Sequence, residues 1–336
     1  MNRRFSKVVL AASLVAAPLA VIANDAAPAS ATSLHAMTFA YDWPVPDMEL
    51  IPVLVAKENG YFTKAGLNVS IKFPPNTSTT IKMLSTGSAD VGLVTTADMV
   101  SAVVAKVPLK SIANYSMSNN WGLFTKPGTT IPLSQLKGKT IFSYDDNWTN
   151  TMLPFVLKKA GVTAQQVHVV SASNDVPLLL NGRVNFSTNT TNYEIPGIEA
   201  ADKGKQPGEV LTGSALGVPN IPIWDYATST SFAGKNGTYL KAFLSAVKQA
   251  TKWAVANPTA AATLFDKAYP ASGYTNAYNL SAWKLTVPLL TNAKGQYFVE
   301  SDTQWSQLTS AMKAVKEIAT VPTPSSIYTN AFQPTS

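Results

Sequence analysis

The apolar positions of the chain change repeatedly between two spacings. In residues 37–41 (MTFAY) and 67–73 (LNVSIKF) every second position is apolar, which is typical of strands. Between them, Leu50, Val53 and Leu54 lie three or four positions apart, which places them on one face of a helix. Such alternation of strand and helix patterns predicts an α/β fold.

Glycines mark the ends of the predicted helices. Gly60 and Gly87 each follow a helical segment and precede a strand, and glycine adopts the left-handed conformation that ends a helix. The same order of helix, glycine and strand returns around Gly182, at 182 minus 87, or 95, positions after Gly87. A chance similarity between two such turns is the alternative, and it stays open at this point. Because 336 residues exceed the size at which one core usually keeps growing, we expect two lobes built alike.

We expect each lobe to be a doubly wound sheet with flanking helices, with a ligand cleft between the lobes. Residues 32–124 and 226–336 are assigned to lobe I, and residues 125–225 to lobe II. The chain then crosses between the lobes near residues 121–128 and 221–228, and these two crossings predict a hinge.

Residues 1–31 have the pattern of an export signal. Arg3, Arg4 and Lys7 precede an apolar run that ends in small residues. A membrane anchor is the alternative, but Pro18 interrupts a run that has to reach about 20 apolar residues to span a bilayer. We therefore expect a periplasmic or secreted protein. The sequence has no cysteine, so neither a disulfide nor the acylated cysteine of a lipoprotein is expected.

Charge and motifs exclude several classes of function. The 26 basic and 19 acidic residues give a net charge of +7, but the basic residues are scattered, so we expect no nucleic-acid partner. Residues 138–140 (GKT) lack the glycine that a phosphate loop needs five positions earlier, where Leu133 stands. No HExxH or GxSxG motif occurs, and the two histidines, His35 and His168, stand apart. We expect no enzyme, no metal and no cofactor.

Aromatic and polar side chains follow the predicted strands. Ligands of open parallel sheets bind outside the carboxyl ends of strands, so these segments are candidates for a binding site. Rings stack on a flat ligand and carboxylates accept N–H donors, a combination that suits a small nitrogen heterocycle. For any single residue, core packing or helix capping is the alternative. The candidate ligand-binding residues are Asp42, Trp43, Thr95, Thr96, Tyr144, Asp146, Trp148, Asn192, Tyr193, Glu194 and Trp224.

The arginine content bears on anionic ligands. Beyond residues 1–31 the sequence contains one arginine, Arg183, in a predicted helix-to-strand turn away from the cleft. Sulfonates and carboxylates are often held by a bidentate arginine, so an anion receptor is disfavoured. Helix N-termini also bind anions, and a receptor for sulfonate, taurine or nitrate therefore stays an alternative.

Three segments resemble those of periplasmic binding proteins of the thiamine-precursor and aliphatic-sulfonate type. They are AKENGYF (56–62), GSADVG (87–92) and LKGKTI (136–141). The resemblance covers roughly residues 36–270. It implies a two-lobed periplasmic binding protein fold of type II, a monomer, and an ABC importer permease as the partner that receives the ligand.

Two further segments, YDWP (41–44) and TNYEIPGIEA (191–200), look most like the members that bind pyrimidine precursors of thiamine. On this resemblance Trp43 stacks on the ligand and Glu194 faces the cleft and holds the aminopyrimidine. The subgroup commonly has Asn and His after the Trp-Pro segment, whereas this chain has VPDMEL at residues 45–50, so the exact ligand stays open. A related eukaryotic enzyme makes the pyrimidine with a cysteine-rich motif and a histidine, whereas this chain has no cysteine and no histidine in that loop.

Overall fold

The computed structural model describes residues 33–172 and 174–334, so the predicted export signal lies outside the described residues. Two groups of strands with flanking helices form the two lobes that the sequence predicts. In the part of the chain that the structure describes, the strands are β1 (His35–Ala40), β2 (Leu67–Lys72), β3 (Val91–Thr95), β4 (Leu109–Asn114), β5 (Trp121–Phe124), β6 (Thr140–Phe142), β7 (His168–Val170), β8 (Ser187–Thr190), β9 (Val210–Thr212) and β10 (Trp224–Ser229).

The helices begin and end at capping residues that the sequence provides. Asp146, for example, accepts a hydrogen bond from the Thr149 backbone N–H at 2.8 Å, and the helix that it caps ends at Gly161, where φ is 69°. The α-helices are α1 (Ile51–Glu58), α2 (Tyr61–Lys64), α3 (Thr77–Thr86), α4 (Thr96–Val104), α5 (Asn147–Ala160), α6 (Val176–Leu180), α7 (Thr191–Ala201), α8 (Gly213–Leu216), α9 (Thr230–Lys235), α10 (Gly237–Ala256), α11 (Pro258–Ala268), α12 (Asn276–Thr286), α13 (Asp302–Ala314) and α14 (Pro324–Ile327).

The first sheet has the strand order β2-β1-β3-β10-β4. β1 pairs in parallel with both β2 and β3, as the predicted strand-helix-strand units require. β10 comes from far along the chain and lies antiparallel between β3 and β4. The carboxyl ends of β1 and β3 therefore meet the beginning of β10 at one edge of this sheet.

The second lobe repeats this arrangement. β6 and β7 pair in parallel, a bridge between Ile141 and Phe186 joins β6 to the start of β8, and β5 lies antiparallel between β8 and β9. The resulting order is β7-β6-β8-β5-β9. It matches the first sheet, since in both sheets the strand in the fourth place is antiparallel to its two neighbours. Residues 121–124, which the sequence assigned to lobe I, form β5 and pair in the second lobe. The other lobe boundaries stay a prediction.

The repeated order of helix, glycine and strand at Gly87 and Gly182 is confirmed as a repeated structure. Both glycines are left-handed, with φ of 76° and 70°. Three residues after Gly87, the Asp90 carboxylate accepts from the Thr38 backbone N–H at 2.7 Å. Three residues after Gly182, the Asn185 side-chain oxygen accepts from the Thr140 N–H at 2.8 Å. The same turn thus joins β3 to β1 in lobe I and β8 to β6 in lobe II.

The chain passes between the lobes in two adjacent segments, 115–120 and 217–223. Asn119 joins them, since its backbone N–H donates to the Asn220 side-chain oxygen at 2.9 Å and its Nδ2 donates to the Pro219 carbonyl at 3.0 Å. The first crossing therefore precedes β5, rather than following Trp121 as the sequence suggested. Motion about these segments stays a prediction.

The cores of the lobes consist of aliphatic and aromatic side chains. In lobe I, Phe39 and Tyr226 on the sheet pack against Phe243 of α10. In lobe II, Phe124 and Phe142 pack beneath helices α6 and α7. Within residues 33–172 and 174–334, no helix is both long and apolar enough to cross a membrane.

Candidate functional site

A cavity of about 160 Å³ lies where the carboxyl ends of the parallel strands of both lobes face each other. Its walls come from the segments after β1 and β6, the ends of β3 and β8, and the starts of the antiparallel strands β5 and β10. This is the position in which α/β proteins bind ligands. The lining residues are Tyr41, Asp42, Trp43, Asp47, Met48, Glu49, Thr77, Thr95, Asp98, Trp121, Tyr144, Asp146, Trp148, Thr149, Thr188, Asn189, Thr190, Tyr193, Ile223 and Trp224.

The structure brings most of the predicted site residues to this cavity. Thr96, Asn192 and Glu194 lie outside the wall. The Thr96 hydroxyl instead donates to the Pro222 carbonyl at 2.7 Å, which ties the start of α4 to the second crossing segment. Ligand contact by the residues on the wall stays a prediction. Those predicted residues that line the cavity are Asp42, Trp43, Thr95, Tyr144, Asp146, Trp148, Tyr193 and Trp224.

Aromatic rings form much of the wall. The Trp43 side chain is 42% exposed and meets the Tyr144 ring edge-on, with ring centroids 6.3 Å apart and an angle of 85°. This contact joins the first lobe to the second across the cavity mouth. Flat rings on several sides suit a flat ligand that stacks against them. The rings are Tyr41, Trp43, Trp121, Tyr144, Trp148, Tyr193 and Trp224.

Five acidic side chains also line the cavity, and neutral groups hold them. Asp98 accepts from the Thr95 hydroxyl at 2.6 Å and from Asn147 Nδ2 at 2.5 Å, a contact that crosses between the lobes. The Tyr41 hydroxyl donates to Asp47. Asp42 is 2% exposed, and its Oδ1 has no hydrogen-bond partner among the described residues.

Burial makes these acids hard to ionise. It raises the pKa of Asp42 well above its usual range, and the neighbouring Asp98 raises it further. Burial raises the pKa of Asp47 to about 6 and, together with Asp47, raises the pKa of Glu49 well above its usual range. Burial also raises the pKa of Asp98. The cavity therefore disfavours a negatively charged ligand and favours one that brings N–H donors or positive charge.

Basic side chains are absent from the residues described as lining the cavity. The one ion pair found in the described parts of the chain is Lys205 with Asp202, at 3.1 Å on the surface. Among those same residues no group of three or more His, Cys, Asp or Glu is arranged to hold a metal ion. The acids of the cavity thus have neither a protein cation nor a metal-type cluster beside them.

Asn192 connects the lobes next to the cavity. Its Nδ2 donates to the Thr286 hydroxyl at 2.9 Å and contacts Glu49 Oε1 at 3.4 Å. Its side-chain oxygen accepts from Asn120 Nδ2 at 2.6 Å. The side chain is 1% exposed, so its polar atoms are used within the protein. Its role in this geometry is to hold α7 against the residues of lobe I.

Glu194 is fully buried, and the prediction that its carboxylate faces the cleft is wrong. It accepts a hydrogen bond from the Ser187 hydroxyl. Burial, and then the neighbouring Asp175, raise the pKa of Glu194 well above its usual range. Consecutive residues of a helix point about 100° apart, so Tyr193 faces the cavity while Glu194 faces the sheet. Glu194 reaches the site only indirectly, through Asp175, which accepts from the Tyr144 hydroxyl at 3.1 Å.

Sequence reasoning missed four wall residues that matter chemically: Asp47, Glu49, Asp98 and Trp121. Asp47 and Glu49 stand in the VPDMEL segment (45–50), which departs from the pattern of the pyrimidine-binding subgroup and so gives no signal of a site. Asp98 stands three positions after Thr95, the spacing of a capping residue and its helix, and that spacing was the available signal.

Two lobes with this shared strand order and a cavity between their facing strand ends define a periplasmic binding protein fold. In agreement, the periplasmic aliphatic sulphonate binding protein SsuA of Escherichia coli superposes with a TM-score of 0.68, covering 90% of this chain and 94% of its own at 16% identity. The model of the NMT1/THI5 like family matches residues 47–261, more than half of the sequence, and the chain belongs to that family.

Relatives of the chain differ in their named roles. A formylaminopyrimidine-binding protein of Halalkalibacterium halodurans is 23% identical over 290 residues, which cover 84% of this chain and 86% of the relative. A 4-amino-5-hydroxymethyl-2-methylpyrimidine phosphate synthase of Saccharomyces cerevisiae is 25% identical over 239 residues, which cover 68% and 70%. Family membership alone therefore leaves a choice between binding and synthesis.

Proposed function

We propose that the protein is an extracytoplasmic receptor that closes its two lobes on a small nitrogen heterocycle of the aminopyrimidine class and delivers it to an ABC importer. The observation that carries this proposal is the cavity itself, with five acids, seven aromatic rings and no basic residue among its described lining residues. Aminopyrimidines are flat and carry N–H donors, and this wall offers rings and acceptors. The formylaminopyrimidine-binding relative supports the same ligand class.

The cavity argues against the sulfonate, taurine and nitrate alternative. An anion in this desolvated space would find no cation among the described lining residues to hold it, and ionisation of Asp42 or Asp98 beside it would add a like charge. The likeness to the sulphonate binding protein, at 16% identity, concerns the fold. Specificity depends on the wall, and the wall is acidic.

Binding is also favoured over synthesis. The synthase relative shares the scaffold, but this sequence has no cysteine, and neither of its two histidines lines the cavity. The wall therefore lacks the thiol and imidazole groups that commonly act as nucleophile or proton carrier near neutral pH. Reversible binding by rings and carboxyl groups needs neither.

Native mass spectrometry of the purified protein mixed with a metabolite extract tests the proposal. We expect one retained small molecule of heterocyclic composition, released unchanged on denaturation. A retained sulfonate would favour the anion receptor, and a molecule altered in mass over time would favour the enzyme. Size-exclusion chromatography checks the expected monomer, and the intact mass of protein from the cell envelope checks the export of residues 32–336.

A further inference from the structure

We infer that the ligand binds as an organic cation, with its positive charge enclosed by the aromatic rings and carboxyl groups of the cavity. This inference rests on the proposed function and narrows it from nitrogen heterocycles in general to those that are protonated or permanently charged when bound. Two independent features of the wall carry it.

The first feature is the uncompensated acid set. Asp42 lines the cavity, is 2% exposed, and leaves one carboxyl oxygen without a partner among the described residues. Asp98 is held only by neutral donors, the Thr95 hydroxyl at 2.6 Å and Asn147 Nδ2 at 2.5 Å. Buried carboxylates without a cation are costly, and a cationic ligand would supply the missing charge.

The second feature is the ring set around the same space. The faces of Trp and Tyr attract cations, and cages of such rings recognise quaternary ammonium groups. Here tryptophans and tyrosines from both lobes line one small cavity, and Trp43 and Tyr144 meet across its mouth. Rings alone would also accept a neutral heterocycle. Rings together with unpaired acids favour a charged one.

The cavity is small, which limits the cation to about one ring. Its volume of about 160 Å³ lies below the range of about 300–1,000 Å³ that is usual for drug-sized ligands. A protonated aminopyrimidine or aminopyridine spreads its charge over a flat ring, so the charge can contact the ring faces and the carboxyl groups together.

The pH dependence of binding follows from the groups that face the ligand. As the pH rises, the acids lose their protons, and a permanently charged ligand should bind more tightly. The titratable groups that face Asp42 and Asp98 are Asp146 at the start of α5, Asp225 on β10, and Asp47, Glu49 and Tyr41 after β1.

Titration calorimetry with a matched pair of probes tests the inference. 4-Amino-2-methylpyridine is a cation at pH 7, whereas 3-methylaniline has the same shape and amino group but is neutral. We expect the cation to bind about tenfold or more tightly than the neutral probe, with an advantage that grows from pH 6 to pH 8. Equal affinities, or a preference for 3-methylaniline, would overturn the inference.

A variant with asparagine in place of Asp98 tests whether the acids of the cavity wall cause the preference for the cationic probe. Asp98→Asn keeps the size of the side chain, which can still hydrogen-bond to Thr95 and Asn147, so the variant should fold. Because it removes an ionisable acid from the wall, it should lose most of the preference for the cation. Asp202→Asn makes the same charge change on the surface and should keep the preference. If Asp98→Asn also keeps it, the inference is wrong.

Binding of 4-amino-2-methylpyrimidine, measured in the same way, distinguishes a failure of the cation inference from a failure of the proposed function. If this pyrimidine binds but the charged probe has no advantage, the proposed function survives and the cation inference falls. If neither the pyrimidine nor the charged probe binds, both fall.

Discussion

Replacement of Asp225 by asparagine should make the stability of the protein less dependent on pH. Asp225 on β10 is fully buried and precedes Tyr226 in the core of the first sheet. Neither of its carboxyl oxygens has a partner among the described residues, because the nearby Ser111 hydroxyl donates its proton to Glu300 at 2.6 Å. Burial raises the pKa of Asp225 to about 8, and the charge of Asp98 adds to the effect.

The size of the effect follows from proton linkage. The folded protein keeps the Asp225 proton at pH values where the unfolded chain, with an ordinary pKa of 3.8, has lost it. The stabilisation is complete below the unfolded pKa and is lost as the pH rises through the folded pKa of about 8. Between pH 5 and pH 8 the free energy of unfolding should therefore fall by about 3.5 kcal/mol from this residue.

Urea unfolding followed by circular dichroism at pH 5, 6, 7 and 8 measures this. The Asp225→Asn protein should lose about 3.5 kcal/mol less than the parent over that range. Buried acids that Asp225 does not influence, such as Asp47, contribute equally to both proteins. The charge of Asp225 raises the pKa of Asp42 and of Glu300, so these two pKa values should fall somewhat in the variant, which weakens the pH dependence in the same direction. The surface change Asp202→Asn should leave the slope as it is. Parallel curves for the Asp225→Asn protein and the parent would refute the reasoning.

Three further substitutions test the placement of individual residues. Glu194→Gln should leave the affinity for an aminopyrimidine unchanged, because this side chain lies off the cavity wall; a tenfold loss in calorimetric titration would contradict that placement. Trp43→Ala should weaken binding by about tenfold through loss of a stacking ring, with little change in melting temperature since the side chain is 42% exposed. Asn192→Ala should lower the free energy of unfolding by about 1 to 3 kcal/mol, because it removes two buried hydrogen bonds, the one from Asn120 Nδ2 and the one to the Thr286 hydroxyl; chemical denaturation that shows no change would disprove this role.

Much of the local structure could be predicted because it depends on neighbouring residues. The alternation in MTFAY and the helix-ending glycines act within a few positions, and each is present in the structure. The equivalence of the two lobes was visible for the same reason. Repeated local signals at Gly87 and Gly182 build the same turn twice.

Pairing of distant strands could not be predicted in this way. Residues 121–124 carry an apolar pattern that fits either lobe, and only their antiparallel contact with β8 and β9 places them in lobe II. β10 similarly fills the fourth place in the first sheet from more than a hundred residues away from β4. Nothing local to either strand specifies its neighbours.

Which segments reach the cavity could be predicted from the sequence more readily than which way their side chains point. Residues that directly follow parallel strands, such as Trp43 and Tyr144, reach the cavity because strand ends meet there. On α7 the direction of a side chain depends on a rotation of about 100° per residue, so Tyr193 lines the cavity and its neighbour Glu194 does not. The resemblance pointed to residues 191–200, which supply Tyr193 to the cavity wall, whereas the packing of the helix decides which of its side chains faces the cavity.

A calorimetric titration with 4-amino-5-hydroxymethyl-2-methylpyrimidine, repeated in excess ethanesulfonate and in excess nitrate, tests directly whether the protein is a pyrimidine receptor. We expect saturable binding of one molecule per chain that neither anion displaces, and recovery of the pyrimidine unchanged. Binding of either anion, together with no heat from the pyrimidine, would contradict it.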